Sequence, residues 1–290
     1  MTVLECGCKI NLGLKVGAKR PDGYHNLKSI FLPLHNPGDT LTIISADAPG
    51  LEIISDPPIE GENILTKTWK AFYKFTSIAL PLRVYLKKRV PMGAGLGGGS
   101  ANAAAFLLWL NKICNNPLNK AALQSVALDL GSDVPFFLYN QPAMIEGKGE
   151  KITPVNFNID VFYVVLVWPE IHVPTSAAFA ELDKIRSPAF ENCLTNRMTG
   201  NKNSFPVYIR DFADICLDND LEEPVLGLFP EIGCPGQKFP EAVASGMSGS
   251  GSTCYGIFKS RDLALSAYSR LSALYKFTFY APCHIKHKDI

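Results

Sequence analysis

Several things are scarce in this sequence, and each shortage removes a class of function. No two cysteines are spaced C-x-x-C. The eight thiols stand at Cys6, Cys8, Cys114, Cys193, Cys216, Cys234, Cys254 and Cys283, and Cys6-Gly-Cys8 has no second pair at a zinc-finger distance. That excludes a zinc ribbon and a dithiol redox centre, and leaves small packing thiols of a reducing compartment. No apolar run reaches the roughly 20 residues of a membrane span, and Val161 to Trp168 has the length of a buried strand. The first residues, Met-Thr-Val-Leu-Glu-Cys, lack the charged start and apolar core of a leader, so a cytoplasmic protein is expected. Net charge is nearly absent: 28 basic against 27 acidic residues leave +1. Bulk charge therefore advertises no polyanion-binding face, and neither nucleic acid nor membrane is an expected partner. Any recognition of phosphate has to be local.

What the chain does have is glycine, concentrated in one place. Within Pro91-Met-Gly-Ala-Gly-Leu-Gly-Gly-Gly-Ser-Ala101, five glycines fall between Gly93 and Gly99. The β-branched and aromatic run Leu82 to Val90 precedes it as a strand, and Ala103 to Leu110 follows as a largely buried helix. Strand, glycine loop and helix start in that order make an anion site. Glycine lets backbone N–H groups approach a ligand, and the helix start favours negative charge. A turn that merely packs tightly would not need five glycines, each with its entropic cost. The P-loop pattern requires Lys then Ser or Thr, and Gly99 and Ser100 stand there instead. The dinucleotide pattern G-x-G-x-x-G matches at Gly93, Gly95 and Gly98. The acid it needs about 20 residues later is missing, since Asn115, Asn116 and Pro117 occupy that place.

At 290 residues with 47% hydrophobic content, the chain is expected to form two domains, 1–154 and 155–290. Residues 3 to 16 alternate as strand, with Lys9 and Asn11 on one face. Pro21-Asp-Gly is a turn ending on Tyr24-His25. Leu27 to Leu34 reads as a strand, Gly38-Asp39 as a turn and Thr40 to Ser45 as a further strand. Helices are expected over residues 62–73 and 120–130. Gly131-Ser-Asp133-Val-Pro135 then places a charge between a helix end and Phe136 to Tyr139, read as a buried strand. Pro174 to Phe179 starts a helix with Thr175 or Ser176 as cap. Residues 192–206 read as a loop and 229–240 as irregular. A second glycine-rich segment, Ala244 to Thr253, suits a loop offering amides and hydroxyls before the strand Cys254 to Phe258.

Taken together, these motifs resemble the GHMP kinase superfamily. Pro-x-Gly-x-Gly-Leu-Gly-Gly-Gly-Ser-Ala is similar to its nucleotide loop, and Met247 to Ser252 to its third motif. Lys9-Ile-Asn-Leu-Gly-Leu, Arg20-Pro-Asp-Gly-Tyr-His25 and Gly131-Ser-Asp-Val-Pro-Phe-Phe137 resemble the branch whose acceptor is a cytidylyl-bearing alcohol of non-mevalonate isoprenoid synthesis. The resemblance covers about residues 6 to 260. It implies an α+β, two-domain GHMP kinase fold, with an N-terminal ribosomal-protein-S5-like ATP-binding domain and a C-terminal ferredoxin-like α/β domain.

The resemblance further implies ATP with Mg2+ or a similar cation, a small cytidylyl substrate, and a monomer or homodimer. Pro91, Met92, Gly93, Ala94, Gly95, Leu96, Gly97, Gly98, Gly99, Ser100 and Ala101 would wrap the nucleotide phosphates. Lys9 and Asp133 would flank the acceptor hydroxyl. Asn11, Tyr24, His25 and Phe179 would meet the substrate, Tyr24 and Phe179 by packing on the base and His25 by a hydrogen bond. Lys88 would reach adenine. The family's helix before the third motif is broken here by Gly233 to Pro240. Other kinases of the superfamily, of mevalonate or homoserine type, and a dinucleotide-dependent oxidoreductase are the alternatives. The Tyr24-His25 loop argues against the first, and the missing acid against the second.

Overall fold

The computed structural model describes residues 1–186, 208–212 and 215–284. The chain divides into two compact units. The first holds Met1–Lys9, Pro33–Met92 and Gly97–Gln141, and the second Ile10–Leu32, Gly93–Leu96 and the described residues from Pro142 onward. Strands β1 (Thr2–Lys19) and β2 (His25–Ser45) each contribute residues to both.

In the first unit, β3 (Leu51–Asp56) and β4 (Leu82–Lys87) pair in parallel, and β4 pairs antiparallel with Thr40–Ser45 of β2. Four helices gather here: α1 (Ile64–Thr76), α2 (Gly98–Ile113), α3 (Lys120–Leu130) and α4 (Val134–Tyr139). Local chemistry explains the boundaries. Asn63 caps α1 by accepting from the Leu65 amide at 2.9 Å, and Asn119 caps α3 through the Ala122 amide at 2.9 Å. The buried residues of α2 are small at first, Ala101, Ala103 and Ala104, then large, Phe106, Leu107 and Leu110, and α1, α3 and α4 pack against it.

Three expectations are corrected in this unit. Gly38-Asp39 is no turn: β2 runs straight through it. Phe136 to Tyr139 lies in helix α4, not in a strand. An apolar run of four has no readable period, and Pro135 at the start of the segment is compatible with a first helical turn. Helix α2 begins at Gly98, several residues before Ala103, so the last glycines are helical.

In the second unit, Leu27–Phe31 of β2 pairs antiparallel with β5 (Ala143–Gly147), which pairs with β6 (Lys151–Pro154). A short parallel pair joins β7 (Asn156–Phe157) to β9 (Tyr208–Ile209). The main sheet is antiparallel in the order β10 (Ala244–Met247), β11 (Cys254–Phe258), β8 (Val161–Trp168), β12 (Phe277–His284). Helices α5 (Thr175–Ile185), α6 (Glu222–Leu228) and α8 (Arg261–Ser272) supply Leu182, Val225, Ala264 and Leu271 to a core shared with Val165, Val167 and Phe258. The segment 229–240 forms a single 3-10 turn, Pro230–Ile232, and the short helix α7 (Pro235–Lys238), separated at Gly233 with φ of 70°. The expected cap of α5 is corrected too. The helix begins at Thr175, so Pro174 holds the cap position, no side chain caps it, and Thr175 and Ser176 lie inside the first turn, the Thr175 hydroxyl 3.0 Å from that of Ser250. The expected loop 192–206 lies outside the described residues.

Candidate active site

Within the first unit, Lys9 and Asp133 form an ion pair, Nζ to Oδ2 3.7 Å. The partners differ in their access to water: Lys9 is 4% exposed as a residue, while the Asp133 side chain keeps 30%. Burial pushes the Lys9 ammonium below its ordinary pKa, and the Asp133 charge opposes that shift. Asp133 occupies the cap position of α4 but makes no capping bond, which leaves its carboxylate for Lys9. The lysine stem lies against the glycine loop. A Cβ on Gly97 would come within 3.3 Å of Lys9 Cγ and Cε and 3.1 Å of the Phe137 ring. Gly97, with φ of 68°, is the N-cap of α2, and the Ala101 amide closes the first turn onto its carbonyl at 3.0 Å. The amides of Gly98, Gly99 and Ser100 have no carbonyl four residues back within the helix and point along its axis. Packing explains Gly98, whose Cβ would sit 2.7 Å from Val90 Cγ1. It does not explain Gly99, which is exposed and has nothing within 4 Å of a would-be Cβ. An open approach to the backbone is the remaining reason for glycine there.

Pro91 and Met92 lead into the loop at the surface, Met92 being exposed. Residues 93–96 belong to the second unit, where Ala94 and Leu96 are buried while Gly93 and Gly95 take φ of 66° and 77°. A Cβ on Gly95 would lie 2.2 Å from the Ser248 carbonyl oxygen, and one on Gly93 2.0 Å from Nδ1 of His172. The second glycine-rich segment begins as strand β10, and only 248–253 form the turn. The turn is joined to the loop: the Thr253 amide donates to Ala94 O at 3.3 Å and the Ser248 hydroxyl to Gly95 O at 3.0 Å.

The expected substrate residues also lie in the second unit. Asn11 is buried, and its Nδ2 donates to Ser29 Oγ at 3.0 Å. The His25 ring is buried, with Nδ1 3.0 Å from Gly17 O and Nε2 3.3 Å from Asp183 Oδ1. It stacks on Phe179 with centroids 5.4 Å apart and planes 21° off parallel. Tyr24 is 62% exposed, with Lys148 Nζ 5.1 Å over its ring.

Asp39, expected in a turn, is a buried charged group with a structural role beside the loop. Asp39 is fully buried in the first unit, its Oδ1 accepting from the Arg89 amide at 2.8 Å and the Val90 amide at 2.9 Å. Its Oδ2 accepts from Asn102 Nδ2 at 2.9 Å and from the Lys88 ammonium. Asp39 thus ties the strand end before the glycine loop to the helix after it, and Lys88 is directed to that carboxylate. An acid inside a strand-forming run was the available signal. Among the described residues, no group of three or more His, Cys, Asp or Glu is arranged to hold a metal. No described helix is long and apolar enough to cross a membrane.

The model of the GHMP kinases N terminal domain matches residues 63–141, and that of the GHMP kinases C terminal domain residues 236–276. With the two-unit α+β architecture, they define the class: the fold is that of the GHMP kinases, which are ATP-dependent kinases of small molecules. A 4-diphosphocytidyl-2-C-methyl-D-erythritol kinase of Nitratidesulfovibrio vulgaris is 37% identical over 276 residues, covering 92% of this chain and 94% of that protein. One of Solidesulfovibrio magneticus is 37% identical, with 97% and 96% covered. A crystal structure of 4-(cytidine 5'-diphospho)-2C-methyl-D-erythritol kinase superposes with a TM-score of 0.77 at 29% identity, over 98% of this chain and all of that one. The chain belongs to the 4-diphosphocytidyl-2-C-methyl-D-erythritol kinase family.

Proposed function

We propose that this protein transfers the γ-phosphoryl group of ATP to the 2-hydroxyl of 4-diphosphocytidyl-2-C-methyl-D-erythritol, in the non-mevalonate route to isoprenoid precursors. One observation carries the reading: Lys9, ion-paired with Asp133, packs its stem against Gly97, the N-cap residue of α2, whose first-turn amides have no partner within the helix. The hydroxyl oxygen attacks the γ-phosphorus, the bond to the leaving ADP oxygen breaks, and the hydroxyl proton passes to the Asp133 carboxylate. Lys9 holds positive charge beside both the carboxylate and the incoming phosphoryl group. Phosphoryl transfer asks for positioning and charge neutralisation more than covalent work. General base action supplies about 10² to 10⁴ in rate, whereas orientation supplies roughly 7 to 11 kcal/mol. Asp133 therefore need not remove the proton early, and it contributes by holding the hydroxyl in line as well as by accepting its proton.

Residues 91–101 wrap the ATP phosphates in this reading, with the Gly98, Gly99 and Ser100 amides as donors. A divalent cation fits without a protein cage, since Mg2+ keeps several waters and takes few protein oxygens beside phosphates. Ser100, in the first turn of α2, is the residue that would hold it, and the ion would neutralise phosphate charge. Asn11, Tyr24, His25 and Phe179 bind the cytidylyl alcohol, with Tyr24 on the base. Stacking of that kind is worth about 1 to 3 kcal/mol. Along the chain we place the division near residue 154, into 1–154 and 155–290, supported by the two family models falling on either side. We place the protein in the cytoplasm as a monomer or homodimer. The test is steady-state turnover with ATP on the cytidylyl alcohol, mevalonate and homoserine in parallel. Turnover on the first alone is expected, and activity confined to an uncytidylylated alcohol overturns the reading.

A further inference from the structure

We propose that Ser248 is a positioning residue that couples nucleotide binding at the glycine loop to acceptor binding at Asn11. The inference rests on the function proposed above and adds a linkage between its two substrates. Ser248 is fully buried, and its hydroxyl sits among three polar atoms of the second unit. It accepts from the Asn11 amide at 3.3 Å, and as donor it faces Gly95 O at 3.0 Å and Asn11 Oδ1 at 3.4 Å. A hydroxyl carries one proton, so these two acceptors compete for it. One belongs to the phosphate-binding loop and the other to a substrate-binding side chain.

The surroundings leave this hydroxyl little room. Asn219 donates from Nδ2 to Met247 O at 2.9 Å and Gly249 O at 2.8 Å, the carbonyls on either side of Ser248. Asn219 is itself held by the Leu221 amide, 2.9 Å from its Oδ1, and by a bridge to Leu14 of β1. The turn closes through Ser248 N to Thr253 O and Gly251 N to Ser248 O, both 2.9 Å. Gly95 approaches so closely that no Cβ fits beside the Ser248 carbonyl. Asn11 is fixed at its other end, because Nδ2 donates to Ser29 Oγ and that hydroxyl donates to Gly13 O. Loop and turn therefore shift together, and a movement of the Gly95 carbonyl as the loop amides close on phosphate redistributes the Ser248 proton. The Asn11 carbonyl oxygen gains or loses the Ser248 hydrogen bond accordingly, which changes how this side chain meets the substrate, and by linkage the acceptor acts equally on the nucleotide.

Calorimetric binding of a non-hydrolysable ATP analogue, with and without saturating 4-diphosphocytidyl-2-C-methyl-D-erythritol, tests this. The ratio of the two dissociation constants reads the coupling. It is expected to be about 5-fold or more in the wild type, and within about 2-fold of unity in Ser248→Ala. A structural defect alone weakens both constants and leaves their ratio intact. Asn219→Asp keeps the hydroxyl but removes both bonds to the turn, so its ratio falls part of the way, and it stands in if Ser248→Ala does not fold. A wild-type ratio of one, or an undiminished ratio in either variant, overturns the coupling. Wild-type turnover separates the two levels. No turnover of the cytidylyl alcohol refutes the proposed function, whereas turnover with an undiminished ratio refutes only the role of Ser248.

Discussion

Replacing Asp133 by Asn removes the counter-charge from an ammonium that is 4% exposed and 3.7 Å away. At that separation the attraction is about 4 to 5 kcal/mol for an effective dielectric constant near 20. Breaking such a pair from one side costs about 3 to 5 kcal/mol when the orphan is buried. The reverse change, Lys9→Met, leaves the orphan charge on Asp133, whose side chain is 30% exposed and can be hydrated. Its cost is therefore expected to stay near the range of an exposed pair, about 0 to 1 kcal/mol. Both variants lose turnover, Asp133→Asn by at least about 10²-fold in kcat with ATP binding retained. The pair thus predicts a shared loss of turnover and unequal stability.

The pH dependence follows from the same asymmetry. Burial depresses the Lys9 pKa in the folded state, and Asp133 works against that depression. Between the folded and unfolded pKa values of a depressed lysine, the unfolded chain binds more protons, so stability rises with pH. In Asp133→Asn the opposing charge is gone, the folded pKa falls further and the window widens toward lower pH. The deficit of Asp133→Asn relative to wild type should accordingly shrink as pH rises from 7 to about 10, while Lys9→Met shows no such recovery. Denaturant titrations at the two pH values, paired with a phosphoryl-transfer assay, give both readings. Equal destabilisation of the two variants, a pH-independent deficit in Asp133→Asn, or undiminished turnover in either refutes the reasoning.

Gly95→Ala would push a Cβ to 2.2 Å from Ser248 O at a φ of 77°, and should lower stability by about 2 kcal/mol or more. Gly99→Ala, open and helical, should leave stability unchanged or raise it by up to about 1 kcal/mol; melting temperatures compare the two. Asp39→Asn should cost about 3 to 5 kcal/mol by stranding the buried Lys88 ammonium, and adding Lys88→Met should recover part of it. Failure of the double variant to recover anything would mean that Asp39 acts through the Arg89 and Val90 amides and Asn102 rather than through Lys88. Tyr24→Ala should change the melting temperature little, because the ring is exposed, yet raise KM for the cytidylyl alcohol about 5- to 150-fold with KM for ATP unmoved. An unchanged KM would remove Tyr24 from base recognition.

Much of this protein is local and therefore legible in its residues. Helix α3 matches its expected span, because Asn119 caps it and Gly131 ends it within the segment itself. The glycine loop is equally self-announcing, as are β1 with its alternation and β8 with its continuous apolar run. Where the reading failed, the deciding partner was distant. Asp39 looked like a turn residue, but amides and an ammonium some 50 positions along the chain, at Arg89, Val90 and Lys88, hold it within a strand. Thr175 and Ser176 are both cap-forming residues, yet the helix starts at Thr175 and Pro174 takes the cap position, while the Thr175 hydroxyl lies 3.0 Å from one 75 residues away at Ser250.

The sequence alone determined the chemical inventory: a loop that can expose backbone amides, a lysine and an aspartate that can meet at a hydroxyl, and an aromatic on a turn. Tertiary structure decided which of these groups are dry. Alternation put Lys9 and Asn11 on one face of β1 without saying that both would be buried, nor that Asp133 would keep contact with water. It also decided that the Ser248 hydroxyl should stand between Gly95 and Asn11, residues separated from it by 153 and 237 positions. Burial and long-range hydrogen bonding are properties of what lies opposite a residue, and no local pattern encodes them. The difference matters because removing water turns a lysine and a serine found in any sequence into a costly charge and a shared proton.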